Sequence, residues 1–228
     1  MQVCLIVILI LSSLCNIAQE KKSSFPVITL RTNPLSFIEA DAGVMLGIGC
    51  QFHPRWSVSI DPGWIFYSPY QFSNMDTYPG ENSTVNGYKI RTDIKYYFRD
   101  FIFGKRGEFI ALEFHYKNVV ASDWASFGMN CVNGQCDFYQ RAQYNDAKIE
   151  KGIAAKIGLI RRLWNTRWAI EVYTGIGIKL KRYRQSGLPA GGSFTEQPSH
   201  DITLFNSSGG EDTYPMFPAG AKFVYRIF

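Results

Sequence analysis

No stretch of this sequence is long and apolar enough to cross a membrane as a helix. The apolar run Val3–Leu11 falls short of the ~20 residues such a span needs. Apart from that N-terminal region, no segment has the helical period, which argues against a helical bundle. Histidine is scarce, at three residues, so catalytic and metal-binding schemes built on imidazole have few candidates. The net charge of +5 is mild, and no basic block interleaved with aromatics is present, which argues against a nucleic-acid partner. Mean hydropathy is −0.10, a value that does not exclude membrane strands, because alternating faces average out.

The first eighteen residues, MQVCLIVILILSSLCNIA, lack any charged side chain. An apolar core followed by small residues and Ala18 predicts a secretory signal at 1–18 and one mature domain over 19–228. An uncleaved anchor is the alternative. Lipidation at Cys15 is a further one, disfavoured by the bulky Leu14 before it. Processing would leave Cys50, Cys131 and Cys136 of the five cysteines. In CVNGQC the last two bracket Asn133-Gly134, a turn dipeptide, and an exported chain would close that loop as a disulfide.

What the chain has in abundance is alternation. In RWAIEVYTGIGIKLKRY the even positions Trp168, Ile170, Val172, Thr174, Ile176, Ile178 and Leu180 are largely apolar, while the odd ones carry Glu171, Lys179, Lys181 and glycines. Successive side chains of a strand point to opposite faces, so this is a strand with one apolar side. The pattern recurs over Val27–Asn33, GVMLGIGCQF, RWSVSIDPGWIF, Tyr88–Phe98, FIALEFHYKN, KIEKGIAAKIGL and AGAKFVYRIF. Only Lys151 breaks an apolar row. Eight strands are predicted, joined alternately by tight links such as HPR and RLWNT and by long links at 68–86, 125–142 and 185–214. An even strand number puts both termini on the short-turn side.

The polar face collects Arg31, Lys89, Arg91, Lys95, Lys117, Lys148, Lys156, Lys179, Lys181, Lys222 and Arg226. Asp61, Asp93, Glu113, Glu150 and Glu171 stand among them with glycines and His115. Glycines weaken a solvated strand, but they leave room for long side chains inside a narrow closed sheet. Several segments exceed ten residues, near the 9–11 that a tilted membrane strand needs. Aromatics such as Trp56, Trp64, Tyr96, Trp168 and Tyr225 gather at strand ends, as interfacial girdles do. The expected fold is therefore all-β: an eight-stranded antiparallel up-and-down transmembrane β-barrel, apolar face to lipid and charges in the lumen. A soluble barrel of the lipocalin type, or a sandwich, with the apolar face as its core is the competing reading.

The stretch LRTNPLSFIEADAGVMLGIGCQFHPRWSVSIDPGWIF, with its Asn-Pro-Leu-Ser segment, Gly-rich second strand and RWSV restart, carries a resemblance. It resembles the small OmpA/OmpX-like outer-membrane β-barrel proteins of Bacteroidota, in particular an uncharacterised family among them. The terminal VYRIF is similar to the aromatic-ended signal read by the barrel-assembly machinery, although Ile227 rather than Phe228 continues the row of Phe223 and Tyr225. The resemblance implies an outer-membrane location in a Gram-negative bacterium, periplasmic termini, and lipid and lipopolysaccharide as surroundings. It implies little about activity.

No cofactor, metal site or catalytic residue is expected. His53 sits in a tight turn, and His200 beside Ser199 and Asp201 lies in the longest link. His115 is followed two residues later by Lys117, where a deacylase of this kind would carry serine. The Asn82 acceptor motif NST is read as chance. The expected function is a non-enzymatic, monomeric barrel with a structural or surface-binding role. Its lumen lattice is drawn from Lys89, Arg91, Asp93, Lys95, Glu113, His115, Lys117, Glu150, Lys156, Glu171, Lys179, Lys222 and Arg226. Glu171 with Arg167 or Lys179, and Glu113 with Lys117, are its candidate pairs. A narrow anion-selective pore and a lipid A-modifying enzyme are the alternatives.

Overall fold

A computed structural model of the chain describes residues 25–39, 41–67, 84–98, 106–132, 135–163, 167–187, 189–190, 192–194 and 211–227. The segment expected to be a signal, the Asn82 motif and His200 lie outside the described residues. Ten strands form one antiparallel sheet: β1 (Val27–Thr32), β2 (Ala42–His53), β3 (Trp56–Tyr67), β4 (Thr84–Tyr97), β5 (Arg106–Met129), β6 (Phe138–Arg162), β7 (Trp168–Ser186), β8 (Gly192–Phe194), β9 (Glu211–Met216) and β10 (Ala219–Arg226). A 3₁₀ turn over Pro34–Phe37 lies between β1 and β2. Among the described residues no helix is long and apolar enough to cross a membrane.

Neighbours in sequence pair from β1 through β7. β10 then pairs with β7 on one side, Lys222 opposite Glu171, and with β1 on the other, Thr32 opposite Phe223. Hydrogen bonding thus closes on itself through eight strands. β9 continues the β10 wall along β7, from Gly177 to Arg182, and β8 adds to β5 at Phe127–Met129. The ring has one end with the short connections, where the described residues also begin and end at Phe25 and Ile227, and another with the longer connections.

The sequence expectation of a long link at 125–142 is corrected here. β5 and β6 run through most of it as a paired ribbon, leaving only 130–137 as the tip. Cys131 and Cys136 are disulfide-bonded within that tip. The link expected at 185–214 likewise contains β8 and β9, which raises the strand count of the sheet from eight to ten.

The two faces of the ring have opposite polarity, and the polar one is inside. Lys89, Lys95, Lys156 and Lys222 are each 1% exposed, whereas Leu46, Trp64, Ile157 and Ile176 exceed 60%. The interior has no continuous apolar core of the kind a soluble sandwich has: Met45, Ile65, Val119 and Phe127 are buried nearer the long connections, and one apolar cluster fills the opposite end. There Tyr97, Phe109, Ala111, Ile160, Ala169, Tyr173 and Val224 pack across the interior near the short connections.

Outward aromatics fall at two levels. Trp56 meets Tyr96, with centroids 5.1 Å apart, Tyr96 meets Phe98 at 5.8 Å and Trp168 meets Tyr225 at 4.8 Å, all at the short-connection end. At the other end Phe66 meets Phe37 and Trp64, each at 6.3 Å, and Tyr88 stacks on Tyr116 at 5.8 Å. Mostly Ile, Leu and Val side chains fill the band between them, with Phe114 and Phe223 among them.

Two glycines show why interior positions are small. A side chain at Gly47 would occupy the place of the Asp61 carboxylate. One at Gly175 would meet the Lys156 stem at 2.8 Å.

Candidate functional site: a two-tier charge lattice inside the ring

The interior charges come from nearly every wall, because each strand presents alternate residues inward. They divide into two tiers. The tier nearer the short connections pairs Arg31, Lys95, Lys156 and Lys222 with Asp61, Asp93, Glu113 and Glu171. Glu171 receives Arg31 at 2.7 Å and Lys95 at 2.5 Å. Lys156 bridges Glu113, at 2.7 Å, and Asp93. Lys222 bridges Asp61 at 2.6 Å and Asp93 at 2.9 Å. Four cations meet four carboxylates, so the tier is neutral, and every member is almost fully buried. Buried charge is tolerated only where it is paired and hydrogen-bonded, which this arrangement provides.

The aromatic floor finishes the job for the ammonium groups. Lys95 lies 4.7 Å from the centroid of Phe109, and Lys156 lies 4.3 Å from that of Tyr173. Each cation faces carboxylate oxygen on one side and an aromatic face on another. A cavity of about 30 Å³, lined by Arg31, Ser59, Tyr97 and Glu171 among others, has room for a water molecule.

The second tier lies nearer the long connections. Lys89, Arg91, Lys117, Lys148, Lys179 and Lys181 surround three carboxylates, Glu39, Asp41 and Glu150. Glu150 takes Lys117 at 2.9 Å, Lys179 at 3.5 Å and Lys181 at 3.7 Å. Glu39 takes Lys89 at 2.7 Å and Arg91 at 2.9 Å. Asp41 takes Lys148 at 2.9 Å and Lys117. Six cations against three carboxylates leave this tier positive, and Lys179 and Lys181 are its most open cations.

Glu39 and Asp41 do not belong to a strand. They sit in the connection between β1 and β2, which the 3₁₀ turn and a 2.6 Å hydrogen bond from the Ser36 hydroxyl to the Gly43 carbonyl fold over the opening. Burial pushes the Glu39 carboxyl up, but Arg91 and Lys89 together hold it below the usual carboxylate range. The sequence reading had no account of either residue. The available signal was a pair of carboxylates two apart, FIEAD, directly before a strand that otherwise carries none.

Of the residues expected in the lattice, twelve project inward, from Lys89, Arg91, Asp93 and Lys95 through Glu113, His115, Lys117, Glu150, Lys156, Glu171 and Lys179 to Lys222. Arg226 lies below both tiers at the short-connection end, where its backbone N–H donates to the Arg167 carbonyl. His115 is buried on the inward face, opposite Arg91 and Gly152 in the ladders, and Lys117 beyond it is held by Asp41 and Glu150. Arg31 and Asp61, counted only as polar-face residues from sequence, are lattice members in full. The expected pairs are corrected: Glu171 joins Arg31 and Lys95 rather than Arg167 or Lys179, and Glu113 joins Lys156 rather than Lys117. The partners come from other walls because closure of a narrow ring brings side chains of β1, β4 and β6 to the carboxylates of β7 and β5.

Chemically, the lattice fills space; its deeper tier cancels its own charge and its upper tier keeps a positive excess. A family model described as a protein of unknown function (DUF3575) matches residues 4–204. No curated protein and no solved structure matches the chain. Since that match covers most of its length, the chain belongs to the DUF3575 family.

Proposed function

We propose that the chain is an integral outer-membrane β-barrel that acts without catalysis, as a structural or surface-binding element whose lumen is closed by its own charges. The reading rests above all on the inverted distribution of polarity around the closed ring. Monomeric soluble proteins rarely expose contiguous apolar patches beyond a few hundred Å². Here Leu46, Trp64, Ile157, Val172, Ile176 and Ile178 all stand outward and more than half exposed. Hydrocarbon is the solvent that suits such a wall, and a closed strand ring is one of two architectures that satisfy every backbone group within it.

The dimensions agree. Trp56 to Phe66 spans ten residues of β3, or about 33 Å of strand at ~3.3 Å per residue. At a tilt of ~40° that is about 25 Å of height, the thickness of the apolar band in outer-membrane barrels. Aromatic pairs at both levels match the interfacial girdles of that class. The short connections and both chain ends then face the periplasm, and the β5–β6 ribbon faces outward. This also fits the resemblance to small OmpA/OmpX-like proteins.

Partition into the outer-membrane fraction and heat-modifiable migration on a detergent gel are the expected results. Recovery as a soluble monomer without detergent overturns the proposal. A narrow anion-selective pore is the second reading, favoured by the positive upper tier and opposed by the neutral tier and apolar floor beneath it.

A further inference from the structure

Lys151 is the charge that interrupts the apolar row of β6, and its surroundings give it a use. It points outward and is exposed, directly opposite Tyr116 of β5 and Leu180 of β7. Tyr116 is stacked on Tyr88 in the aromatic level at the long-connection end. Lys151 therefore stands at the edge of the apolar band and not at its middle, where a charge would be costly.

Two more cations continue the same outer face. Arg182 pairs with Ile149 and Arg184 with Ala147, each two residues farther from the band, and both are exposed. Among the described residues no carboxylate oxygen lies within ion-pair distance of Lys151, Arg182 or Arg184. Glu211 of β9, opposite Arg182 in the ladder, is the carboxylate nearest in register, and it forms no ion pair with Arg182. The interior cations each have assigned partners, so this outward group differs in kind from the lattice. On the facing ladder positions of β5, Asn118 and Val120 add no negative charge.

We propose that Lys151, Arg182 and Arg184 form a binding site for the anionic phosphate of a membrane-lipid headgroup on the outer wall of β6 and β7. The proposal rests on the membrane-barrel reading and adds a partner to it. Lys151 at the aromatic level reaches the depth of the headgroup phosphates, while Arg182 and Arg184 stand above it. Arginine offers planar paired donors to phosphate oxygens, and lysine a point charge from below. Leu180 and Tyr116, flanking Lys151, supply the apolar surface on which the first acyl carbons lie.

The test measures phosphatidylglycerol retention by native mass spectrometry on the full chain in detergent, with neutral diacylglycerol as the comparison lipid. Lys151→Gln/Arg182→Gln/Arg184→Gln weakens phosphatidylglycerol binding by about a hundredfold, the electrostatic contribution expected of three basic residues at a membrane surface. Arg55→Gln/Arg161→Gln/Arg167→Gln removes the same charge from exposed positions at the other end and leaves binding within about twofold. Unchanged binding in the first variant, equal loss in both, or equal retention of diacylglycerol overturns the site. A parent chain that needs no detergent to stay monomeric overturns the membrane reading beneath it, and that outcome is read before any lipid is added.

Discussion

Asp41 accepts two hydrogen bonds from Lys148, each 2.9 Å long, across 107 residues of sequence. The contact joins the β1–β2 connection to the distant β6 wall, and Lys117 on β5 meets the same carboxylate. With Glu39 on Lys89 and Arg91, the connection is fastened to three consecutive strands, β4, β5 and β6. It works as a latch over the positive tier.

Asp41→Asn and Glu39→Gln should therefore loosen the long-connection end. Each removes a carboxylate while leaving its cations in place, a change that costs about 3–5 kcal/mol when the pair is fully buried. Glu39, Lys117 and Lys148 retain some solvent, although Lys89 does not, and a loss of about 1–3 kcal/mol is expected. The check is the temperature at which the folded band converts on a detergent gel, which should fall for both variants. An unchanged midpoint would mean that the latch is ornamental. Acid should act alike: the Glu39 carboxyl is held below its ordinary value, so its contribution is complete above that value and disappears as pH falls through the lowered one.

Neutrality of the deeper tier makes a second prediction. Lys222→Met leaves Asp61 and Asp93 facing each other's charge and should destabilise by about 3–5 kcal/mol, enough to impair refolding from urea into detergent. Lys222→Met/Asp61→Asn removes one charge of each sign and restores balance. The double variant should be more stable than the sum of its singles by about 1–3 kcal/mol in urea unfolding. Strict additivity would show that Lys222 and Asp61 are energetically uncoupled despite their contact.

Alternation was readable because the two faces of each strand meet different surroundings. In β7 the row Trp168–Leu180 faces outward, and Glu171 and Lys179 face inward. The same signal fails over 123–144, where β5 and β6 extend past β4 and β7 and only the short β8 joins them, at Phe127–Met129. Most described side chains of the ribbon are exposed or half-buried on both faces, Phe127 excepted, so VVASDWASFGM has little reason to alternate. Pairing was unreadable for a different reason. Glu171 finds Arg31 across 140 residues, a partnership set by the closure of β10 on β1. Glu39 and Asp41 were invisible because a connection shows its role only when the walls it touches are assembled.

The apolar floor predicts little conductance. Tyr97 and Phe109 stand edge to face with centroids 5.9 Å apart beneath the neutral tier. Planar-bilayer recordings of the parent should show no steady single-channel steps. Tyr97→Ala/Phe109→Ala thins the floor and should admit small openings with an anion preference set by the positive mouth. Neutralising Lys89, Arg91 or Lys179 in that background should reduce the preference. Regular, well-resolved steps from the parent would favour the pore reading instead.

Depth in the bilayer can be read from charge placed on the outer wall. Ile157 of β6 and Ile176 of β7 lie between the two aromatic levels and are each 63% exposed. Arg at a mid-depth lipid-facing position costs about 2–4 kcal/mol, falling to about 0–1 near the interfaces. Ile157→Arg and Ile176→Arg should therefore unfold at clearly lower urea than the parent in lipid vesicles. Lys151→Leu, at the Tyr116 level, should change stability by less than about 1 kcal/mol. The contrast separates lipid from water as the outer solvent. In water both arginines would be tolerated at an exposed strand position, and Ile157→Arg would then improve solubility without cost. Equal stability of all three variants in vesicles would place the β6–β7 wall in water.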